Sequence, residues 1–283
     1  MFRRSSQGHE HQRGPDRAID YGQPFGWWGS RWTSSNGHSL LWLIERGALD
    51  VLTAAFLSIA VELRASFIVV AEPHEAGKTT MLTALADFLP DDCEPIFLRG
   101  WYERFTFLQS ASPDQAFLLC NEISAHLPIY LWGDGVRKVF DAVATGYPLA
   151  TTMHARGATD ALEQLMSVPL NVPVEQVALI DLVVSIEVGY VGNRLLRRVV
   201  RIERIMPGRE SVRIVELALR ESLHDEISYQ SGRYVAVLAE LGGCSNLEAS
   251  SLLAQRTSQI DGWLARGLAA APSIRAELVA TRR

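Results

Sequence analysis

Phe67-Ile68-Val69-Val70-Ala71-Glu72-Pro73-His74-Glu75-Ala76-Gly77-Lys78-Thr79-Thr80 is the stretch on which the fold turns. Its first four residues are an apolar, mostly β-branched run of the kind that fills a central parallel strand. From Met81 to Phe88 the apolar spacing is helical, and Pro90 ends it. Between them lies Gly77-Lys78-Thr79, in a strand–loop–helix setting. There backbone amides and a helix N-terminus converge on phosphate groups, a lysine adds charge, and a hydroxyl is offered to magnesium. Glu75, Ala76, Gly77, Lys78, Thr79 and Thr80 are therefore the candidate phosphate cradle, with Thr79 as the candidate magnesium ligand.

The lysine is informative because Lys78 and Lys138 are the chain's only lysines, arginine being used elsewhere. A planar guanidinium is a poor substitute for a compact ammonium inside such a loop. The loop also departs from G-x-x-x-x-G-K-[ST]. Glu72 stands at the first glycine, and Glu75-Ala76 replaces a small pair. Glycine suits those places because the chain turns tightly and must approach its ligand without a Cβ. A glutamate about 8 Å from a polyphosphate costs roughly 0.5–2 kcal/mol, a roughly threefold to thirtyfold loss of affinity.

Working outward, short apolar runs at Pro95–Leu98, Ala116–Cys120, Leu149–Thr152 and Leu182–Glu187 predict further strands. Helical spacing appears at Val136–Thr145, Thr159–Met166 and Val174–Ile180. Strands alternating with helices predict an α/β fold with a mainly parallel sheet. Gly189–Asn193 reads as a turn-rich loop, after which Leu196–Ile205 returns as an antiparallel addition. Leu40–Glu45 and Leu52–Leu63 predict helices before the first strand. Ser231–Leu241 and Leu247–Leu264 predict a helical C-terminal segment, the latter opened by the capping box Ser245-Asn246-Leu247-Glu248. Three parts follow: an arm at 1–38, an α/β domain at 39–220 and a helical segment at 221–283. The arm is disordered or loosely docked through Phe25, Trp27, Trp28 and Trp32.

Composition narrows the class. At 283 residues, 48% hydrophobic and 21% charged, the chain has the balance of a soluble globular protein. A net charge of -5 gives no electrostatic reason to expect nucleic acid. Cys93, Cys120 and Cys244 show no metal-ligand spacing and read as free thiols of a reducing cytosol. The apolar run Val51–Val61 falls short of the ~20 residues a bilayer needs, so no span is expected. The location read from this is cytoplasmic, with peripheral attachment at the inner face of the membrane left open.

Phosphate chemistry with water needs an acidic group at the carboxyl end of a neighbouring strand. Glu122, just past Ala116–Cys120, occupies such a place. His154 follows Thr151-Thr152 at the end of another strand.

Taken in order, these pieces resemble the secretion-ATPase family, the motors of type II and type IV secretion, type IV pili and tight-adherence pili. The resemblance runs from Leu43-Ile44-Glu45-Arg46-Gly47-Ala48-Leu49 through the lysine loop and Asn121-Glu122-Ile123-Ser124. It is strongest at Thr145-Gly146-Tyr147-Pro148-Leu149-Ala150-Thr151-Thr152-Met153-His154-Ala155, similar to the family's histidine box, and covers roughly residues 40–205. It implies a RecA-like P-loop NTPase core that binds ATP with Mg2+. Glu122 would activate water and His154 would sense or position the γ-phosphate. It further implies a ring, of six subunits, acting on an inner-membrane platform protein. Three departures stand against turnover: no room for the large N-terminal domain before Leu40, Ser124 in place of arginine, and an acidic box reduced to Glu103. The expected function is thus an ATP-hydrolysing motor-type domain, or a degenerate non-hydrolysing paralogue acting as a regulatory or structural subunit. A small-molecule kinase would need a lid of arginines. Arg194, Arg197, Arg198 and Arg201 read more naturally as a solvated strand face or subunit contact.

Overall fold

The computed structural model describes residues 19–26, 28, 38–209, 211–229, 231–268 and 271–282. Helices α1 (Leu40–Glu45) and α2 (Val51–Glu62) lead into strand β1 (Phe67–Val70), helix α3 (Lys78–Leu85) and strand β2 (Glu94–Phe97). Strand β3 (Ala116–Leu119), helix α4 (Asp134–Ala144) and strand β4 (Leu149–Met153) come next, then helices α5 (Ala158–Met166) and α6 (Val174–Val177). Strands β5 (Leu182–Val191), β6 (Arg194–Pro207), β7 (Val212–Leu219) and β8 (Ser228–Tyr229) form the far side of the sheet. Helices α7 (Ser231–Gly242), α8 (Asn246–Ala265) and α9 (Ala271–Arg282) close the chain.

The sheet has eight strands in the order β2-β3-β4-β1-β5-β6-β7-β8. The first five run parallel and β5 to β8 pair antiparallel. The mixed α/β architecture expected from the alternation is therefore present. Side chains one apart on a strand face opposite layers. Phe67 and Val69 of β1 join one core with Phe56 of α2, Leu82 of α3, Leu238 of α7 and Trp263 of α8. Ile68 and Val70 join the other, with Phe140 of α4 and Leu162 and Leu165 of α5. Helices thus cover both faces of the parallel half, which explains why its strands are apolar runs rather than alternating ones.

Helix α2 is buried continuously from Thr53 to Val61, and Asp50 caps it by accepting from the Thr53 amide at 2.7 Å. Such a cap stabilises by ~1 kcal/mol. Helix α8 covers it, tied by Arg256, whose Nη2 donates to Glu62 Oε2 at 2.6 Å and whose Nη1 donates to Ser58 at 3.2 Å. The Ser245–Glu248 capping box opens α8 as the sequence predicts.

Three expectations are corrected. The loop read at Gly189–Asn193 is a hairpin tip: β5 continues to Val191 and only Gly192-Asn193 turns the chain into β6. Strands β7 and β8 and helix α9 extend the sheet and the helical layer beyond the predicted elements. Helix α3 ends at Leu85, and Ala86–Phe88, read as its last turn, form a separate 3-10 turn.

At the N-terminal side, the Tyr21 carbonyl accepts from the Phe97 amide at 2.9 Å. Trp28 is 1% exposed, its ring edge-on to Phe97 at 4.9 Å. Phe25 packs edge-on to Tyr102. Trp27 and Trp32 lie outside the described residues. Cys93 and Cys120 are buried and Cys244 half-buried, all as free thiols. Among the described residues, no helix is long and apolar enough to cross a membrane.

Candidate functional site

Strands β3, β4 and β1 are neighbours, so residues just beyond their carboxyl ends share one edge of the sheet. Val70 is level with Met153, and Ile123 bridges Met153, which sets Glu122, His154 and the β1–α3 loop side by side. This edge is where ligands sit in open α/β sheets.

The loop owes its shape to two left-handed residues, Glu75 at φ 58° and Gly77 at φ 93°. Gly77 precedes α3, so the helix begins at Lys78 with its first amides unpaired by side-chain caps. Arg197 of β6 donates from Nε to the Glu75 carbonyl at 2.8 Å, holding the loop from outside.

Lys78 is 6% exposed and Glu122 5%. Lys78 Nζ lies 3.6 Å from Glu122 Oε2 and 3.3 Å from His154 Nε2. His154 Nε2 is 3.4 Å from Glu122 Oε1, and its Nδ1 is 3.1 Å from the Glu72 carbonyl. Burial lowers the Lys78 pKa from the ordinary lysine value, and the Glu122 carboxylate opposes that shift. Burial likewise lowers that of His154; Glu122 opposes the shift and the Lys78 ammonium adds to it. Lys78 Nζ is 3.3 Å from both ring nitrogens, so with Nδ1–H on the Glu72 carbonyl the acceptor left to the lysine is Nε2. Among the described residues Glu122 Oε1 is buried with no hydrogen-bond partner, whereas Oε2 faces Lys78 and the Thr152 hydroxyl.

These groups line a cavity of about 760 Å3, within the ~300–1,000 Å3 of small-ligand sites. Glu75, Ala76, Gly77, Lys78, Thr79, Thr80, Glu122 and His154 all border it, so every residue singled out for the cradle and its chemistry comes together. Glu103 does not. Its carboxylate accepts from the amides of Arg99, Arg104 and Phe105 and from the Tyr21 hydroxyl, which commits it to its own loop and to the N-terminal side. Of the four arginines read as a solvated face, Arg194 and Arg197 border the cavity and Arg198 and Arg201 do not. Ser124 is buried, and its Oγ accepts from the His126 amide.

Sequence reasoning missed other residues that line the cavity, among them His38, Trp42 and Arg46. His38 stacks on Trp42 at 3.7 Å, and the Arg46 guanidinium lies 3.8 Å from the Trp42 ring centre. His74 and Tyr130 complete the rim. Arg197 reaches the loop because it pairs with Val188 across the β5–β6 hairpin, a register with no signal in the sequence.

No family model matches the chain. It is 29% identical over 195 residues to the uncharacterized protein MJ0900 of Methanocaldococcus jannaschii, covering 59% of this chain and 33% of that protein. It is 24% identical over 149 residues to the uncharacterized protein MJ1287 of the same organism, covering 46% of this chain and 55% of that one. The matched regions thus span a third to about half the length of these relatives. Among solved structures, it is similar to the VirB11 ATPase of the Brucella suis type IV secretion system, in complex with sulphate. That match has 23% identity and a TM-score of 0.42, covering 58% of this chain and 54% of the other. The Legionella pneumophila ATPase DotB matches at 12% identity and a TM-score of 0.39, covering 88% and 68%.

Proposed function

We propose that this chain carries a RecA-like P-loop core that binds and hydrolyses ATP, as a motor-type domain of a type II/type IV secretion or pilus assembly system. One observation carries the reading: a buried lysine in the first turn of α3 meets a buried glutamate and a histidine from the two adjacent strand ends, in one ligand-sized cavity. The site fits a magnesium polyphosphate. It offers a desolvated ammonium, a left-handed glycine leading into a helix N-terminus, and a hydroxyl at Thr79.

Lys78 would bind the β- and γ-phosphates, exchanging Glu122 for them. Backbone amides from Glu75 to Thr80 would donate to the remaining oxygens, with Thr79 as magnesium ligand. Bound there, Mg2+ neutralises charge that builds on the phosphate oxygens. Glu122 Oε1, lacking a donor, is the acceptor for a proton of the attacking water. Water oxygen bonds to the γ-phosphorus, the bond to the ADP oxygen breaks, and the proton passes to Glu122. His154, fixed by the Glu72 carbonyl, positions Lys78 and the γ-phosphate.

In this reading residues 39–220 are the motor domain, 221–283 a helical segment packed on it, and 1–38 an arm. The partners are further copies in a ring of six and an inner-membrane platform protein, with the chain cytoplasmic at the membrane's inner face. A second reading, a non-hydrolysing regulatory subunit, is favoured by Glu75, a charged residue held at φ 58° where the loop would carry glycine. Phosphate release from ATP by wild type and Glu122→Gln separates the two. The motor reading expects turnover to fall by about 10^2–10^4 in the variant with nucleotide affinity kept. Absence of wild-type turnover, alone or with a membrane partner, removes it.

A further inference from the structure

The same edge of the sheet carries two histidines that the nucleotide reading leaves without work. His126, exposed beyond β3, and His74, in the β1–α3 loop, both approach His154, with ring centres 5.9 Å and 4.3 Å from it. One donor atom each from Glu122, His126 and His154 lie within 4.8 Å of one another. We propose that Glu122, His126 and His154 form a binding site for a divalent transition metal of the zinc class, flanked by His74.

The geometry is close to what such an ion needs. Zinc holds imidazole nitrogen and carboxylate oxygen at about 2.0–2.2 Å, so tetrahedral donors lie roughly 3.3–3.5 Å apart. The His154 Nε2–Glu122 Oε1 pair is already at 3.4 Å. The His126 donor lies within 4.8 Å of both, and its exposed side chain is the one left to close in. The Glu122 oxygen facing His154 is buried without a hydrogen-bond donor among the described residues, a state that an ion relieves. His154 is also oriented as metal-ligating histidines are, with Nδ1 on the Glu72 backbone carbonyl and Nε2 toward the carboxylate. Three ligands leave a fourth position for water or a phosphate oxygen.

Two imidazoles and one carboxylate select zinc, cobalt, nickel or copper over magnesium or calcium, which prefer oxygen alone. The site is thus chemically separate from a magnesium site at Thr79. Lys78 Nζ, 3.6 Å from Glu122 and 3.3 Å from His154, opposes a second cation. Removing it should tighten metal binding while weakening any anion. Where turnover occurs, bound metal would withhold Glu122 from it; that consequence rests on the nucleotide reading, whereas the binding itself does not.

The test is a titration of the tag-free full chain with cobalt chloride, without nucleotide, followed by zinc displacement. The expected result is one cobalt per chain, with the visible absorption of tetrahedral cobalt and no thiolate charge-transfer band, displaced by equimolar zinc. His126→Ala, an exposed change outside the proposed nucleotide machinery, should weaken binding by at least about tenfold. Lys78→Met should strengthen it on the order of tenfold. Absence of bound cobalt, unchanged affinity in His126→Ala, or weaker binding in Lys78→Met overturns the proposal. Each of these outcomes can be read whether or not the chain turns over ATP.

Discussion

Replacing Glu75 with glycine removes two separate penalties from the β1–α3 loop, and their sizes differ enough to be measured apart. The first is conformational. Glu75 sits at φ 58°, held there by Arg197 on its carbonyl. A Cβ in the left-handed region costs about 1–2 kcal/mol, and glycine returns about 0.5–1 kcal/mol of that through the entropy of the unfolded chain. The net gain is about 0.5–1 kcal/mol, a Tm rise of about 1–4 °C for a chain of this class. The second penalty is electrostatic. Removing a carboxylate about 8 Å from bound phosphates gains about 0.5–2 kcal/mol of binding, roughly threefold to thirtyfold in Kd. The side chain is exposed, so the lower end applies, and the gain should shrink as salt rises. Glu75→Gln removes the charge and keeps the strain, so it should share the affinity gain and not the Tm gain. Thermal melts and titration with a fluorescent ATP analogue at low and high salt measure both. Equal Tm values for Gly and Gln would refute the strain argument. Unchanged nucleotide affinity in both would refute the placement of phosphates in this loop.

Other consequences can be checked independently. Arg197→Ala deletes the 2.8 Å bond to the Glu75 carbonyl; hydrogen exchange of the amides from Glu72 to Lys78 should speed up, and nucleotide affinity should fall by about tenfold or less, the ~0.5–1.5 kcal/mol of one hydrogen bond. The Cys120 thiol is 2% exposed and its pKa is pushed up to about 12 by burial. A disulfide reagent near neutral pH should therefore leave it untouched in the folded chain, label the half-buried Cys244 first, and reach Cys120 only in denaturant. Burial raises the pKa of Glu203 above its ordinary value of 4.5. Between 4.5 and that raised value the folded chain keeps a proton that the unfolded chain has lost. Its stabilising effect is fully present below 4.5 and is lost as pH rises through the folded pKa. Denaturant melts should show wild type gaining on Glu203→Gln as pH falls from neutral toward 4.5; a pH-independent difference would contradict this.

Much of the parallel half was legible because burial on both faces leaves an unambiguous trace. Phe67–Val70 and Ala116–Leu119 are short apolar runs bounded by turn residues, and the Ser245–Glu248 box marks the start of α8 by a local hydrogen-bond pattern. The antiparallel half was harder. The register of β6 against β7 shifts between Ile202 and Glu203, and such an irregularity breaks the strict alternation by which a strand is recognised. The tip at Gly192-Asn193 looked like a loop because Gly189 and Tyr190 carry no apolar period, yet they are paired with Leu196 and Leu195. Lys78, Glu122 and His154 could be found because each follows a recognisable strand. Arg197, His74, His126 and the His38–Trp42–Arg46 wall could not, since their approach depends on register and on side chains crossing between elements. Glu103 shows the opposite failure: an acidic residue at a plausible position whose carboxylate is consumed by neighbouring amides.

The central claim is that Lys78 is the cation of a phosphate site, and ATP affinity of the full chain beside Lys78→Ala tests it most directly. Isothermal titration with magnesium present should show wild type binding one nucleotide. The variant, its fold verified by circular dichroism, should bind at least about tenfold more weakly, the loss of one charge-assisted contact of about 1.5–3 kcal/mol. Equal affinity in the two chains, or no binding by wild type, would contradict the account.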